Sequence, residues 1–283
     1  MKRYLFFPLL ALSGGAAALV LRLLQARTGF EADTGLPVPG NLYARLLVLL
    51  LVVLAALFLL ASRKLPDERE RTPQSFTAGF ATAHTGLLVL PVAGIFLLGL
   101  SGAVEMLSGL GVGPASWAGV SAEAAGFRSF SRLDLFQGAL SVVSAVCLFP
   151  AAAACSRGQR EAVEARRALR PWLLLVPVVC MTVRLVLSYR IYSLDPSLEA
   201  YYVELLALVF LTLGSYRLAS FAYQAGRTRS FAVYAAMAFV SCAATVGDGH
   251  GLVLSLLYIG GGLTLMGFLL LRLTVLAAPW DNI

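Results

Sequence analysis

Long apolar runs alternate with short gaps along this whole chain, and arginine and lysine gather in every second gap. No other feature limits the available folds as strongly. A bilayer's hydrocarbon core of about 30 Å takes roughly 20 apolar helical residues to cross. Eight stretches meet or approach that length: Tyr4–Ala26, Leu42–Ser62, Phe76–Ser108, Leu135–Cys155, Trp172–Tyr192, Leu198–Tyr223, Ser230–Val246 and Leu252–Ala277. Composition agrees, with 59% hydrophobic residues, 13% charged residues and a mean hydropathy of +0.82. The expected fold class is all-α: residues 1–283 form a single domain, a polytopic integral membrane bundle of about eight transmembrane helices.

Two spans stand out. The third is too long for one straight crossing, so its first turns are expected at the interface, with a tilt or a kink at Pro91. The seventh is short and made of small residues, which predicts a helix packed inside the bundle.

Basic residues fill the N-terminus and the even gaps: Lys2 and Arg3; Arg63, Lys64, Arg69 and Arg71; Arg157, Arg160, Arg166, Arg167 and Arg170; Arg227 and Arg229. Arg217 and Arg272 read as belonging to the same side. The odd gaps hold only Arg27, Arg128, Arg132 and Arg190. Cytoplasmic loops carry the basic excess, so both termini are expected in the cytoplasm, with the protein in the plasma membrane. The net charge of +7 then belongs to topology and anionic inner-leaflet lipid rather than to nucleic acid. The first apolar run continues to Leu24, long enough to span, so it reads as a retained helix rather than a cleaved signal. Cys147, Cys155, Cys180 and Cys242 lie in or at the ends of spans with no C-x-x-C spacing, and read as buried, reduced thiols.

The chain also looks like two halves, 1–155 and 171–283. Arg22 precedes Asp33, and Arg184 precedes Asp195, by the same eleven residues. A tyrosine-bearing helix start follows each, at Tyr43 and Tyr202, and then a basic gap running into Phe76 or Phe231. Four spans per half would make a parallel repeat of the kind from which many transporters are built.

Ionisable groups inside hydrocarbon cost about 2.5–3.5 kcal/mol each on insertion scales, so each needs a reason. Arg22, Arg45, Glu105, Arg184 and Glu204 all fall within spans, toward the external side under this topology, and Asp134, Arg190, Asp195 and Glu199 border that side. Snorkelling explains Arg22 and Arg45 taken singly. Arg184 lies about 12 Å of helix before the end of its span, and Glu204 a comparable depth into the next, so an Arg184–Glu204 pair across the hairpin is expected. On a structural reading the two neutralise each other, fix helix register and bind nothing; on a functional one Arg22, Arg45 and Arg184 leave positive charge around an externally open cavity that Glu105 and Glu204 shape. Tyr201, Glu204, Leu208, Thr212 and Ser215 line one face of the sixth helix, and Pro177, Met181, Arg184 and Ser188 one face of the fifth. Tyr189, Tyr192, Tyr201 and Tyr202 suit an interfacial aromatic belt.

Other features are weaker. His84, near Thr82 and Thr85, reads as an interhelical hydrogen-bonding residue, and Gly247–Gly251 as a flexible external turn despite Asp248 and His250. No metal or cofactor is expected, since there are too few ligands and no H-E-x-x-H, G-x-S-x-G, Walker or dinucleotide motif. The charged loops Leu65–Thr72 and Arg160–Arg170 read as solvated cytoplasmic faces, with docking of a cytoplasmic protein partner as an alternative that nothing supports.

The functional expectation is a small-solute carrier for an organic anion or zwitterion. Helices one, two, five and six would surround an externally facing charged cavity, with Arg22, Arg45, Glu105, Arg184, Glu204 and Asp195 as candidate ligand-binding residues. The alternatives are a non-transporting scaffold, sensor or accessory subunit, and an unfamiliar lipid-modifying enzyme.

Overall fold

The protein is described from a computed structural model, covering residues 6–31, 37–38, 40–65, 76–82, 85–112, 131–156, 170–192, 198–249 and 251–277. These residues form the α-helices α1 (Phe6–Thr28), α2 (Leu42–Ser62), α3 (Phe76–Phe80), α4 (Thr85–Gly109), α5 (Arg132–Cys155), α6 (Leu175–Tyr192), α7 (Leu198–Ala222), α8 (Thr228–Val246) and α9 (Leu252–Ala277), with a 3-10 turn at Pro171–Leu174 leading into α6. All but α3 are long and apolar enough to cross a membrane, which gives eight candidate spans. Among the described residues the fold is all-helical, a multi-pass membrane bundle.

The bundle has two distinct ends. At the proximal end, where α1 begins, Arg272 near the end of α9 meets α3 and the start of α8, and Arg229 Nε donates to the carbonyl of Leu65 at 2.8 Å. At the distal end, where α1 finishes, the start of α9 meets the last turns of α4, since Ser101 Oγ donates to the Val253 carbonyl at 2.7 Å. Helices α8 and α9 are the most buried spans and α2 the least. The burial of α8 agrees with its small residues: Ala235, Ala236, Ala238 and Ala244 are fully enclosed. Leu49, Val52, Leu59 and Leu60 of α2 face outward, the apolar face a helix presents to lipid.

One long third helix is not what forms. The chain leaves the helix after Phe80, where Thr82 N–H donates to the Cys155 carbonyl at 3.2 Å, and α4 starts separately. The reason lies in Phe76 and Phe80. Both are buried, and Phe80 packs edge-on against Phe221, Phe231 and Phe268 at 5.1–6.0 Å between ring centroids. That aromatic core anchors the short helix beside α7, α8 and α9. His84 lies outside the described residues.

Glycines set the closest helix contacts. A Cβ on Gly94 would lie 2.5 Å from the Thr264 backbone nitrogen, and one on Gly260 would lie 2.6 Å from that of Leu98, so α4 and α9 touch backbone to backbone. On the other side of α4, a Cβ on Gly102 would meet the Gly138 carbonyl of α5 at 2.6 Å. Small residues permit this approach, and dispersion drives it where lipid leaves no hydrophobic difference to exploit. Helix α4 is thereby wedged between α5 and α9. All four cysteines are buried free thiols.

Candidate functional site

The glycine contact between α4 and α5 places the first polar centre. Glu105 is one turn after Gly102 on α4, and Ser141 one turn after Gly138 on α5, so the crossing holds both side chains close together at the distal end. Arg184 reaches them from α6: its Nη2 donates to Glu105 Oε2 as a buried ion pair and to Ser141 Oγ at 3.1 Å. Ser141 Oγ in turn donates to the Gln137 carbonyl at 3.1 Å, so the hydroxyl both accepts and donates. Arg184 is only 4% exposed, and its Nε and Nη1 make no hydrogen bond among the described residues. Two further acids lie within electrostatic range. Asp134, in the first turn of α5, faces Glu105; Glu204 of α7 accepts from Tyr258 Oη of α9 at 2.9 Å, and Arg184 acts on that tyrosine. Five helices thus contribute side chains to one neighbourhood.

A second centre lies at the same end. Arg22 of α1 donates from Nε to Asp248 Oδ1, just after α8, and from Nη1 to Gln25 Oε1 at 2.9 Å. Its guanidinium also stacks 5.6 Å from the centroid of Tyr202, within cation–π range. Local backbone explains the reach. Gly247 closes α8, and a Cβ there would stand 3.3 Å from Arg22 Cβ and from the Leu19 carbonyl, so glycine lets α1 come close enough. Gly249, at φ +67°, then turns the chain toward α9 in a conformation other residues rarely adopt.

The proximal end is built differently. Arg272 of α9 is buried, donating from Nε to Thr228 Oγ1 at 3.1 Å and from Nη1 to the Gly79 carbonyl at 2.9 Å. It lies over the rings of Phe221 and Phe80 at 5.4 and 6.0 Å. Read from sequence as a topology-setting charge near the helix end, Arg272 is an interior residue that ties α3 to α8 and α9.

Several expectations about the site are corrected. The partner of Arg184 is Glu105 rather than Glu204: α6 packs on both α5 and α7, and Arg184 lies on the face that reaches Ser141 and the α4–α5 glycine contact. Arg45 is exposed on the first turns of α2 and joins neither centre, since α2 packs only at the bundle's edge. The Arg184 centre draws on α4, α5, α6, α7 and α9 rather than on the first, second, fifth and sixth spans. Tyr201 is buried rather than part of an interfacial belt. Asp195, Asp33 and His250 lie outside the described residues. Of the predicted inward faces, Pro177, Met181 and Arg184 on α6 and Tyr201, Glu204 and Leu208 on α7 are buried, while Ser188, Thr212 and Ser215 are half-buried. Sequence reasoning passed over Ser141, Tyr258 and Gln25, and read Asp248 as part of a flexible turn. The available signal for Asp248 was its position just past a span that ends at the level of Arg22.

Fold and charge together define the class: a multi-pass helical membrane protein with buried ion pairs between its helices at one end. No family model, no curated protein and no solved structure matches the chain.

Proposed function

We infer that the protein is a small-solute carrier whose solute binds at the Arg184 centre. The observation that carries this reading is the buried pair between Arg184 and Glu105, surrounded by Ser141, Glu204 and Tyr258 from three other helices. Taking two charges out of water is costly, and well-packed apolar residues of similar volume are often as stable or more so. Intramembrane charges facing the bundle interior therefore point to a pathway or binding site before they point to structure. A scaffold would be served better by leucines.

The paired arginines add support. Arg22 in the first span takes its acid from the end of the seventh, and Arg184 in the fifth takes its acid from the end of the third. A parallel duplication of 1–155 in 171–283 would place its acids in this reciprocal way, with the solute held where the halves meet. The basic gaps support a reading with both termini in the cytoplasm of a cell membrane and the Arg184 centre toward the outside. Fusing reporters to each terminus and to the described turn at Gly247–Gly249 tests that orientation.

Uptake of labelled small solutes into proteoliposomes tests the function. Solute accumulation that Arg184→Lys reduces, at unchanged protein incorporation, is the expected result. If no anionic or zwitterionic solute accumulates over empty liposomes, the carrier reading fails.

A further inference from the structure

Arg22, Arg184 and Arg272 each find acceptors inside the bundle. Arg217, five residues before the end of α7, does not. Its Nε is buried with no hydrogen-bond partner, and it enters no ion pair among the described residues. What holds the guanidinium is a pair of rings: its Cζ lies 5.6 Å from the centroid of Tyr216 and 5.8 Å from that of Tyr234 on α8, both within cation–π range. Rings steady the cation, but a guanidinium at membrane depth still needs an oxygen to accept from its N–H groups. The side chain is half-buried, Tyr216 is 50% exposed, and Tyr223, two turns further along, is 47% exposed. The clamp therefore opens onto the outer surface of the bundle, where lipid lies. Charge narrows the choice of lipid. Among the described residues the proximal end also exposes Arg63, Lys64, Arg170 and Arg227, while every Asp and Glu lies toward the distal end. The chain between 66 and 75 and between 157 and 169 adds five acids and six bases, so the basic excess stands. A zwitterionic headgroup would bring a cation that no described carboxylate at this end could receive, and an anionic one brings none.

We propose that Arg217, clamped between Tyr216 and Tyr234, is a binding site for the phosphate of an anionic phospholipid in the leaflet at the proximal end. The phosphodiester oxygens accept from the N–H groups of Arg217, a charge-assisted contact that suits the guanidinium fork. The two rings fix the cation at the junction of α7 and α8. The exposed basic residues of the same end raise the local concentration of anionic lipid, whereas Arg217 gives one such lipid a fixed place. The inference is independent of the carrier reading and of which leaflet is cytoplasmic.

Native mass spectrometry of the full chain in detergent tests it, by titration with dioctanoyl phosphatidylglycerol, dioctanoyl phosphatidylcholine, glycerol 3-phosphate and inorganic phosphate. Phosphatidylglycerol should bind at one preferred site roughly 10-fold more tightly than phosphatidylcholine, the worth of one charge-assisted hydrogen bond. The two soluble phosphates should not compete for that site. Arg217→Gln should bring phosphatidylglycerol down to the phosphatidylcholine level. Tyr216→Leu, at an exposed position, should weaken it about 3-fold through the lost cation–π contact. Arg63→Gln removes the same charge from the same end and should leave the preference unchanged. Equal binding of the two lipids to wild type overturns the site. So does a loss in Arg63→Gln as large as that in Arg217→Gln, which would make the preference a property of the whole basic end. Competition by either soluble phosphate at concentrations comparable with lipid would assign the site to a soluble phosphate compound and overturn the lipid. If Arg217→Gln does not fold, Arg217→Lys and Tyr216→Leu decide, and an undiminished preference for phosphatidylglycerol in both overturns the proposal.

Discussion

Arg22 and Arg184 occupy comparable positions, one in the first span and one in the fifth, both buried at the distal end and both paired with an acid from another helix. They differ in how much of the guanidinium the protein itself uses. Arg22 spends Nε on Asp248, Nη1 on Gln25 and a face on Tyr202. Arg184 bonds through Nη2 alone among the described residues. An arginine held on several sides fixes the geometry of the helices around it. One held at a single nitrogen keeps donors for something else. The same residue type at the same end is thus held on several sides in one place and at a single nitrogen in the other.

The largest effect should come from breaking the Arg22 pair. Arg22→Met leaves Asp248 buried without its cation and should cost about 3–5 kcal/mol of stability, the usual consequence of removing one partner of a buried pair. Thermal unfolding in nanodiscs would show it, and a melting temperature equal to wild type would mean that Arg22 locks nothing. Next in size is Gly102→Leu. Its side chain would collide with the Gly138 carbonyl at the α4–α5 contact, costing about 1–3 kcal/mol as overpacking does. It should also pull Glu105 away from Arg184 while sparing the Arg22 centre. Cysteine cross-linking rates at the two centres separate those outcomes.

The double variant Arg184→Met with Glu105→Leu sharpens the contrast further. Replacing both charges by apolar groups of similar size should leave stability unchanged or raise it, while abolishing solute binding. A large loss of stability would make the Arg184 pair a structural element like Arg22 and erase the distinction. The smallest effect is expected of Arg45→Gln, which lies on an exposed turn of α2 and should alter neither melting temperature nor uptake.

Much of this was legible before the helices were placed. Arg22, Glu105, Arg184 and Glu204 stand out because each interrupts an apolar run, and such an interruption is a local property of the chain. Their partners do not announce themselves in this way. Ser141 and Tyr258 sit among other serines and aromatics with nothing in the sequence to mark them. Asp248 lies in a turn, where carboxylates are commonplace. Arg272 looked like one more basic residue near a helix end until α3 folded in beneath it. The expected Arg184–Glu204 pair failed because adjacency in sequence makes two helices neighbours but does not set which faces of them meet.

By itself the sequence determined the class of molecule, the count of spans and the inward faces of α6 and α7. Hydrophobicity and helical periodicity are short-range quantities, summed over about 20 residues, and the bilayer responds to each span separately. The tertiary structure alone decided which charge meets which. That outcome depends on helix rotation and spacing, and these follow from backbone contacts at Gly94, Gly102, Gly138 and Gly260 between segments far apart in the chain. Those contacts bring Glu105 to Arg184, and the approach of α1 to Gly247 brings Asp248 to Arg22.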